Sequence, residues 1–479
     1  MESIVKRKYG TYIVSLLICM LVFASCGCSL ANGDEITDQP RSLYAQTMGP
    51  QGKRPGKAPF GGPQLGMPRA MSTPPEVAHD YFDPAQVAEN ERSPFGVDAP
   101  FTKKGNPFDW NGEEGTDLLR KLGIAWIMPS ATFGVSPLNI TPTAGGRDFL
   151  RLDRYVLNAQ AANVHVLFVV SPRELSSAPP PSPPGFPKDV DNYLQVVRAA
   201  IERYDGDGID DMPGLRYPIK YWMVLNEPFF RRYWAGSAED YCRLFIQTYR
   251  AVKEADPGAK VVLSSLINPH MEDTFSFAEQ FFKCYKQALD RKEAPATIDA
   301  IDLHWISKQE ADQAYPEYKR GLDWLMSQCQ QIGLKIPEVI CTEACVLTHD
   351  RDAVARDVVK RYLLARSLGI SKIFWSSLVS ADPKRDFFTA ISLKTIPDDP
   401  ALDVYRFMAK SVRTGACTLK QPQTGVFEIK VENGPKVWWR DIAGEIGQSI
   451  TAKNARDIYG KSLTGRKITA GTSPIYSFD

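Results

Sequence analysis

The sequence has no surplus of charge of either sign: 57 Lys and Arg stand against 56 Asp and Glu, a formal net charge of +1. Without a basic excess it lacks the electrostatic footprint that nucleic acid or an anionic membrane surface demands. No glycine-rich phosphate fingerprint follows any of its apolar runs, which argues against a nucleotide-binding open sheet. Cysteine is sparse, nine in 479 residues, and Cys242, Cys284, Cys329, Cys341, Cys345 and Cys417 lie too far apart for a dense disulfide scaffold. An oxidising compartment permits one or two bridges among them without assigning any. Cys341 and Cys345 have no companion histidine pattern and read as packing rather than zinc ligands. Apolar residues, by contrast, make up 43% of the chain, enough for two ordinary domains or one large barrel with an appendage.

At the N-terminus, Lys6, Arg7 and Lys8 precede "YIVSLLICMLVFA" and then the small residues and cysteines of "ASCGC". That order is a secretory signal over residues 1–28; its apolar core is short for a bilayer span, a retained anchor being the alternative. "FASC" resembles a bacterial lipobox, which makes Cys26 the lipid-bearing first residue of a membrane-anchored mature chain. Phe23 stands where Leu or Val is usual, so cleavage without a lipid is the second reading. Both place the protein outside the cytoplasm, in the cell envelope or secreted.

Residues 29–91 are rich in Pro, Gly and small polar side chains, as in "GPQGKRPGKAPFGGPQLGMPRAMSTPP". Such a stretch buries too little surface to offset its ordering entropy, so it reads as a disordered tether. From residue 92 to 410 short apolar runs alternate with longer amphipathic segments. The runs are "SPFGVDA", "GIAWIMP", "VHVLFVV", "YWMVLNE", "KVVLSSL", "IDAIDLHW", "EVICTEA" and "KIFWSSL". Continuous Val, Ile, Leu, Phe and Trp suit parallel strands covered on both faces, and the intervening segments carry helix start and stop signals. Eight such units predict an α/β fold, a (β/α)8 TIM barrel, with a doubly wound sheet as the structural alternative. After residue 411 the pattern alternates apolar and polar with Gly, Asn and Pro punctuation, predicting a small antiparallel β-sandwich over 411–479. In it, adjacent Trp438 and Trp439 face opposite ways, one to the core and one to the surface.

The catalytic groups of such a barrel sit at the C-terminal ends of strands. Glu227 closes the fourth run and Glu343 the seventh. Pro228 is expected to hold Glu227 extended and to stop the strand ladder there. Either carboxylate alone could be paired with a basic neighbour at the barrel top. Two together, across one cleft, are the equipment of glycoside hydrolysis.

On "WMVLNEP", "VICTEA", "IDLHW", "IFWSSL" and "SPFGVDA" the chain resembles glycoside hydrolase clan A, retaining (β/α)8 enzymes, closest to families 39 and 5. The resemblance covers roughly residues 93 to 410. It implies Glu227 as general acid/base, Glu343 as nucleophile and Asn226 as donor to a sugar 2-hydroxyl. It further implies His304 near the glutamates and Trp375 as an aromatic floor, each of which taken alone reads as a core residue. Trp305, Phe95, Trp126 and Tyr233 are further cleft candidates. The second run departs from the pattern by lacking the clan's strand-two arginine, with Arg173 as a substitute.

Before the fourth strand, "RYDGDGIDDMPGL" sets Asp205, Asp207, Asp210 and Asp211 around two glycines, which reads either as a structural calcium loop or as a solvated acidic turn. The expectation is therefore an exported, monomeric retaining glycosidase acting on a β-linked oligo- or polysaccharide, with no catalytic cofactor. The alternative is a catalytically silent glycan-binding lipoprotein on the same scaffold.

Overall fold

The computed structural model describes residues 80–98, 112–129, 134–143, 146–174, 183–377, 399–423, 425–441, 449–451, 454–465 and 467–478. The signal, Cys26 and the tether up to residue 79 lie outside the described residues. All eight apolar runs are strands: β1 (Phe95–Asp98), β2 (Trp126–Met128), β3 (His165–Val170), β4 (Tyr221–Val224), β5 (Lys260–Leu263), β6 (Ala300–Asp302), β7 (Val339–Val346) and β8 (Ile370–Ser376). Trp305–Ser307 continues β6 and pairs with the second half of β7. Each strand is parallel to the next, and β8 pairs with both β7 and β1, so the sheet closes on itself.

Side chains alternate in and out of this cylinder. Met128, Leu167, Val169, Met223, Val262, Ile340 and Phe374 fill the interior as one packed cluster. The alternate positions, such as Phe168, Val170, Trp222 and Val224, pack beneath the helices. At the N-terminal ends of the strands a polar plug forms the floor. There Glu338 accepts bonds from Tyr221, Ser371, Lys260 and Lys372. Burial opposes its charge, but Lys372, Ser371 and Lys260 outweigh that and hold its pKa down to about 2.

The helices start where their caps dictate. Asp189 caps α4 (Val190–Tyr204) through the Asn192 N–H. Ser237 and Asp240 form a reciprocal capping box at the head of α5 (Ala238–Ala255). Asp350 caps α8 (Arg351–Ser367), and Asp399 with Pro400 begins α9 (Pro400–Ser411). The other barrel helices are α2 (Gly112–Leu122), α3 (Leu150–Ala161), α6 (Asp273–Asp290) and α7 (Ala311–Gln331).

One boundary is corrected. The stretch assigned to the tether ends in a helix, α1 (Pro84–Arg92), capped by Asp83. It lies against the barrel floor: Trp126 Nε1 donates to the Asn90 carbonyl, and a ring nitrogen of His165 meets the Val87 carbonyl. Asn163 ties down Tyr81 and Asp83. The described body therefore includes α1 and the residues from Asp80 that lead into it.

The C-terminal region holds a five-stranded antiparallel sheet. Its strands are β9 (Cys417–Gln423), β10 (Val426–Val431), β11 (Lys436–Arg440), β13 (Ala455–Arg456) and β15 (Ile475–Ser477), in the order β9-β10-β11-β15-β13. A second, two-stranded sheet pairs β12 (Ser449–Thr451) with β14 (Lys467–Thr469). Trp439 is buried and stacks on Phe427 at 5.2 Å, while Trp438, on the other face, is only partly buried. The six described cysteines are free thiols, with Cys341 and Cys345 both buried.

Candidate active site

The fourth strand stops at Val224, short of the glutamate. The Leu225 N–H still bonds the Val170 carbonyl, and the Tyr241 hydroxyl from α5 takes the last carbonyl of β4. The chain then turns sharply, with Leu225 at φ 62° and Glu227 at φ 41°. The expectation that Pro228 keeps Glu227 extended is thus wrong. Left-handed geometry costs a non-glycine residue about 1–2 kcal/mol. It is held here because the Glu227 N–H donates to Ser264 Oγ and the Glu227 carbonyl accepts from the Phe230 N–H. The turn swings the carboxylate over the mouth of the barrel instead of out toward the helices.

There Glu227 meets the groups of two other strands, β6 and β7. His304 Nδ1 lies 2.9 Å from Glu227 Oε1, and its Nε2 lies 2.9 Å from Asp302 Oδ2. Asp302, fully buried, also accepts from the Thr342 N–H and hydroxyl, both at 2.8 Å. Asn226 Nδ2 donates to Glu343 Oε1 at 3.0 Å. A carboxylate oxygen of Glu227, a nitrogen of His304 and a carboxylate oxygen of Glu343 all lie within 4.8 Å of one another. Glu227 and Glu343 are 2% and 8% exposed, so the pair is nearly enclosed by protein.

The electrostatics follow from that enclosure. Burial works against an imidazolium at His304, but Asp302, Glu343 and Glu227 outweigh it and hold its pKa well above the ordinary value. Burial pushes the Glu343 carboxyl up to about 8; Glu227 and Asp98 push the same way, while His304 and Asn226 pull against them. With its neighbour this close and water excluded, the Glu343 carboxyl keeps its proton at neutral pH.

The structure therefore brings together Asn226, Glu227, His304 and Glu343, with Tyr233 on the loop that follows Glu227. It moves four aromatic candidates away. Trp375 is fully buried in the helix-facing layer, because its neighbour Phe374 takes the inward position on β8. Phe95 also faces outward, stacked on Tyr362 of α8 at 5.2 Å. Trp305 stacks on Tyr318 of α7 at 4.1 Å, beneath Arg361. Trp126 points inward but at the floor, stacked on His165. Strand parity, read from the inward residues, would have found all but the last.

The sequence reading missed Asp302, Thr342 and Ser264, which position the His and Glu side chains, and Asp98, which accepts from the Ser376 hydroxyl beside the site. Arg173 makes no ion pair with Glu343 among the described residues, and the groups that bear most on that carboxyl are His304, Glu227, Asp98 and Asn226. In the acidic loop, Asp205, Asp207 and Asp211 converge while Asp210 does not. Their oxygens accept the loop's own N–H groups, those of Gly206 and Gly208 going to Asp211, so the turn is closed by its own amides.

Fold and site together define a (β/α)8 barrel protein with two converging glutamates at the C-terminal mouth. No protein-family model matches the chain, and no curated protein does. Among solved structures it is similar to a family 39 glycoside hydrolase from Bacteroides cellulosilyticus WH2, with TM-score 0.58, 15% identity and 81% of each chain covered. It is also similar to a glucosidase from Croceicoccus marinus, with TM-score 0.51, 14% identity, and 84% of this chain and 83% of that one covered. These likenesses establish the barrel architecture.

Proposed function

We propose that the protein is a retaining glycosidase. The observation that carries this reading is the convergence of Glu227 and Glu343, an oxygen of each within 4.8 Å of the other, at the catalytic end of the barrel. A retaining mechanism needs two carboxyl groups about 5–5.5 Å apart. Glu343, from strand seven, attacks the anomeric carbon to form a covalent glycosyl-enzyme. Glu227, on the strand-four turn, protonates the departing oxygen and then activates the water that releases the sugar. The solved structures named above, a family 39 glycoside hydrolase and a glucosidase, support the same reading.

Attack by Glu343 requires its carboxylate, which burial disfavours below about pH 8. The His304 imidazolium and the Asn226 amide stabilise the Glu343 anion. Asn226 Oδ1 is buried with no hydrogen-bond partner, and a sugar hydroxyl beside the cleaved bond would satisfy it.

The sequence adds export through the N-terminal signal, anchorage through a lipid on Cys26, and a β-linked glycan as substrate. The test is a screen of aryl glycosides and polysaccharides with the full chain beside Glu343→Gln. Hydrolysis is expected in the parent alone, with the first-formed sugar keeping its anomeric configuration by NMR. Equal rates for the two proteins would sink the assignment.

A second reading, a silent glycan-binding barrel, draws on one observation. Among the described residues no Arg or Lys lies within ion-pair distance of Glu343, so only His304 offsets its charge. Sugar binding without turnover of any substrate would favour it.

A further inference from the structure

Arg173 follows β3, next to the strand that delivers Glu227, and among the described residues it makes no ion pair. Its Nε is buried without a hydrogen-bond partner. Among the described residues, Tyr233 is the one ionisable neighbour that bears on it, and burial depresses its pKa. A guanidinium drawn out of water with no counter-charge is costly unless something else supplies the charge. Arg366, by comparison, is also substantially buried but donates to the carbonyls of Val412 and Gly415.

Tyr233 belongs to the loop after Glu227, and a second guanidinium lies on it. Arg232 sits 4.5 Å above the Tyr233 ring centroid. Its Nη2 is 3.6 Å from Glu227 Oε2, beyond hydrogen-bond reach, and the side chain is 46% exposed. The Arg232 guanidinium thus stacks on Tyr233 and touches the field of Glu227, while Arg173 lies near enough for the same tyrosine to bear on its charge. Neither is committed to a bidentate partner. Guanidinium matches the planar carboxylate fork better than any other side chain does.

We propose that Arg173, Arg232 and Tyr233 form an anion subsite at the mouth that receives the carboxylate of a uronic acid residue bordering the cleaved bond. The substrate class is then an acidic glycan rather than a neutral one. The proposal rests on the glycosidase reading for its placement next to the cleaved bond, but its recognition chemistry is measurable without turnover.

The experiment measures binding to the full-length Glu343→Gln variant by calorimetry. The probes are D-glucuronate, D-galacturonate and oligosaccharides containing them, each beside its carboxyl-reduced neutral counterpart. At least one acidic member should bind tenfold or more tightly than its reduced twin, and added salt should erode the difference. Adding Arg173→Gln, with its fold checked by circular dichroism, should cut that preference below threefold, and Arg173→Lys should retain part of it. No preference in any pair, including no binding of any uronate, overturns the proposal. So does a preference that survives in Arg173→Gln. Selective uronate binding in a protein whose parent hydrolyses nothing would sink the glycosidase reading and leave the subsite standing.

Discussion

Glu343 is buried where its charge is expensive, and two measurements follow from that. Above pH 8 the Glu343 carboxyl gives up the proton that burial holds there, and the enclosed site can no longer pass it on to the leaving group. A plot of kcat/KM against pH should therefore turn down near 8 and fall about tenfold per further unit. Stability moves with the same group. The folded carboxyl holds its proton more tightly than the unfolded chain, whose ordinary value is 4.5. Its contribution is therefore full below about pH 4.5 and is lost as pH rises through 8. Glu343→Gln removes that loss, worth on the order of 4 kcal/mol. Its melting temperature should exceed the parent's at pH 8, with the gap closing near pH 4. Asp302→Asn acts on the neighbour: without the Asp302 charge, His304 loses much of what keeps it protonated, so Glu343 is held down less. Its pH profile should shift its alkaline limb upward while kcat drops roughly tenfold or more; an unmoved limb would mean that Asp302 serves only to fix the ring. The two glutamates were legible because each interrupts an apolar run where a strand should continue. Asp302 and Asp98 were not, since a carboxylate within a strand declares itself only when its partner, His304 or Ser376, is seen beside it.

Among the elements, α1 shows where sequence reading fails for a physical reason. "FDPAQVAENER" has no apolar stripe, and its one buried residue is the polar Asn90. The helix is kept by capping at Asp83, by polar bonds from Asn163 and Trp126, and by Arg413 reaching Asn90. None of these has a periodic signature. A chain beginning at Ser93 should melt several degrees below one beginning at Asp80, because Trp126 Nε1 and the Arg413 guanidinium would lose buried partners costing about 1–3 kcal/mol each. Equal melting temperatures would show α1 to be an ornament. The strand-four turn failed in the other direction. Pro228 does mark the end of the ladder, but the aim of Glu227 is set by Ser264 and His304, 37 and 77 residues distant and invisible to local rules.

At the scale of the whole molecule the barrel was the most legible feature, since eight continuous apolar runs leave few other ways to cover both faces of a sheet. Assigning aromatic side chains to the cleft was less secure. A run buried on both faces does not reveal which parity is inward, and Trp375, Phe95 and Trp305 all proved to face outward. The C-terminal sheets are not a loose appendage: Phe407 of α9 packs on Tyr476 at 5.0 Å, and Arg366 of α8 grips the connecting chain at Val412 and Gly415. Calorimetry should accordingly show one cooperative transition for the described body, with calorimetric and van't Hoff enthalpies in agreement. Deleting residues from 417 onward should leave a barrel that precipitates or melts without a sharp transition. The position of α1 has one more consequence. Because Asp80 and α1 lie at the floor, at the pole opposite Glu227 and Glu343, a label joined to the body at Asp80 would leave the opening clear.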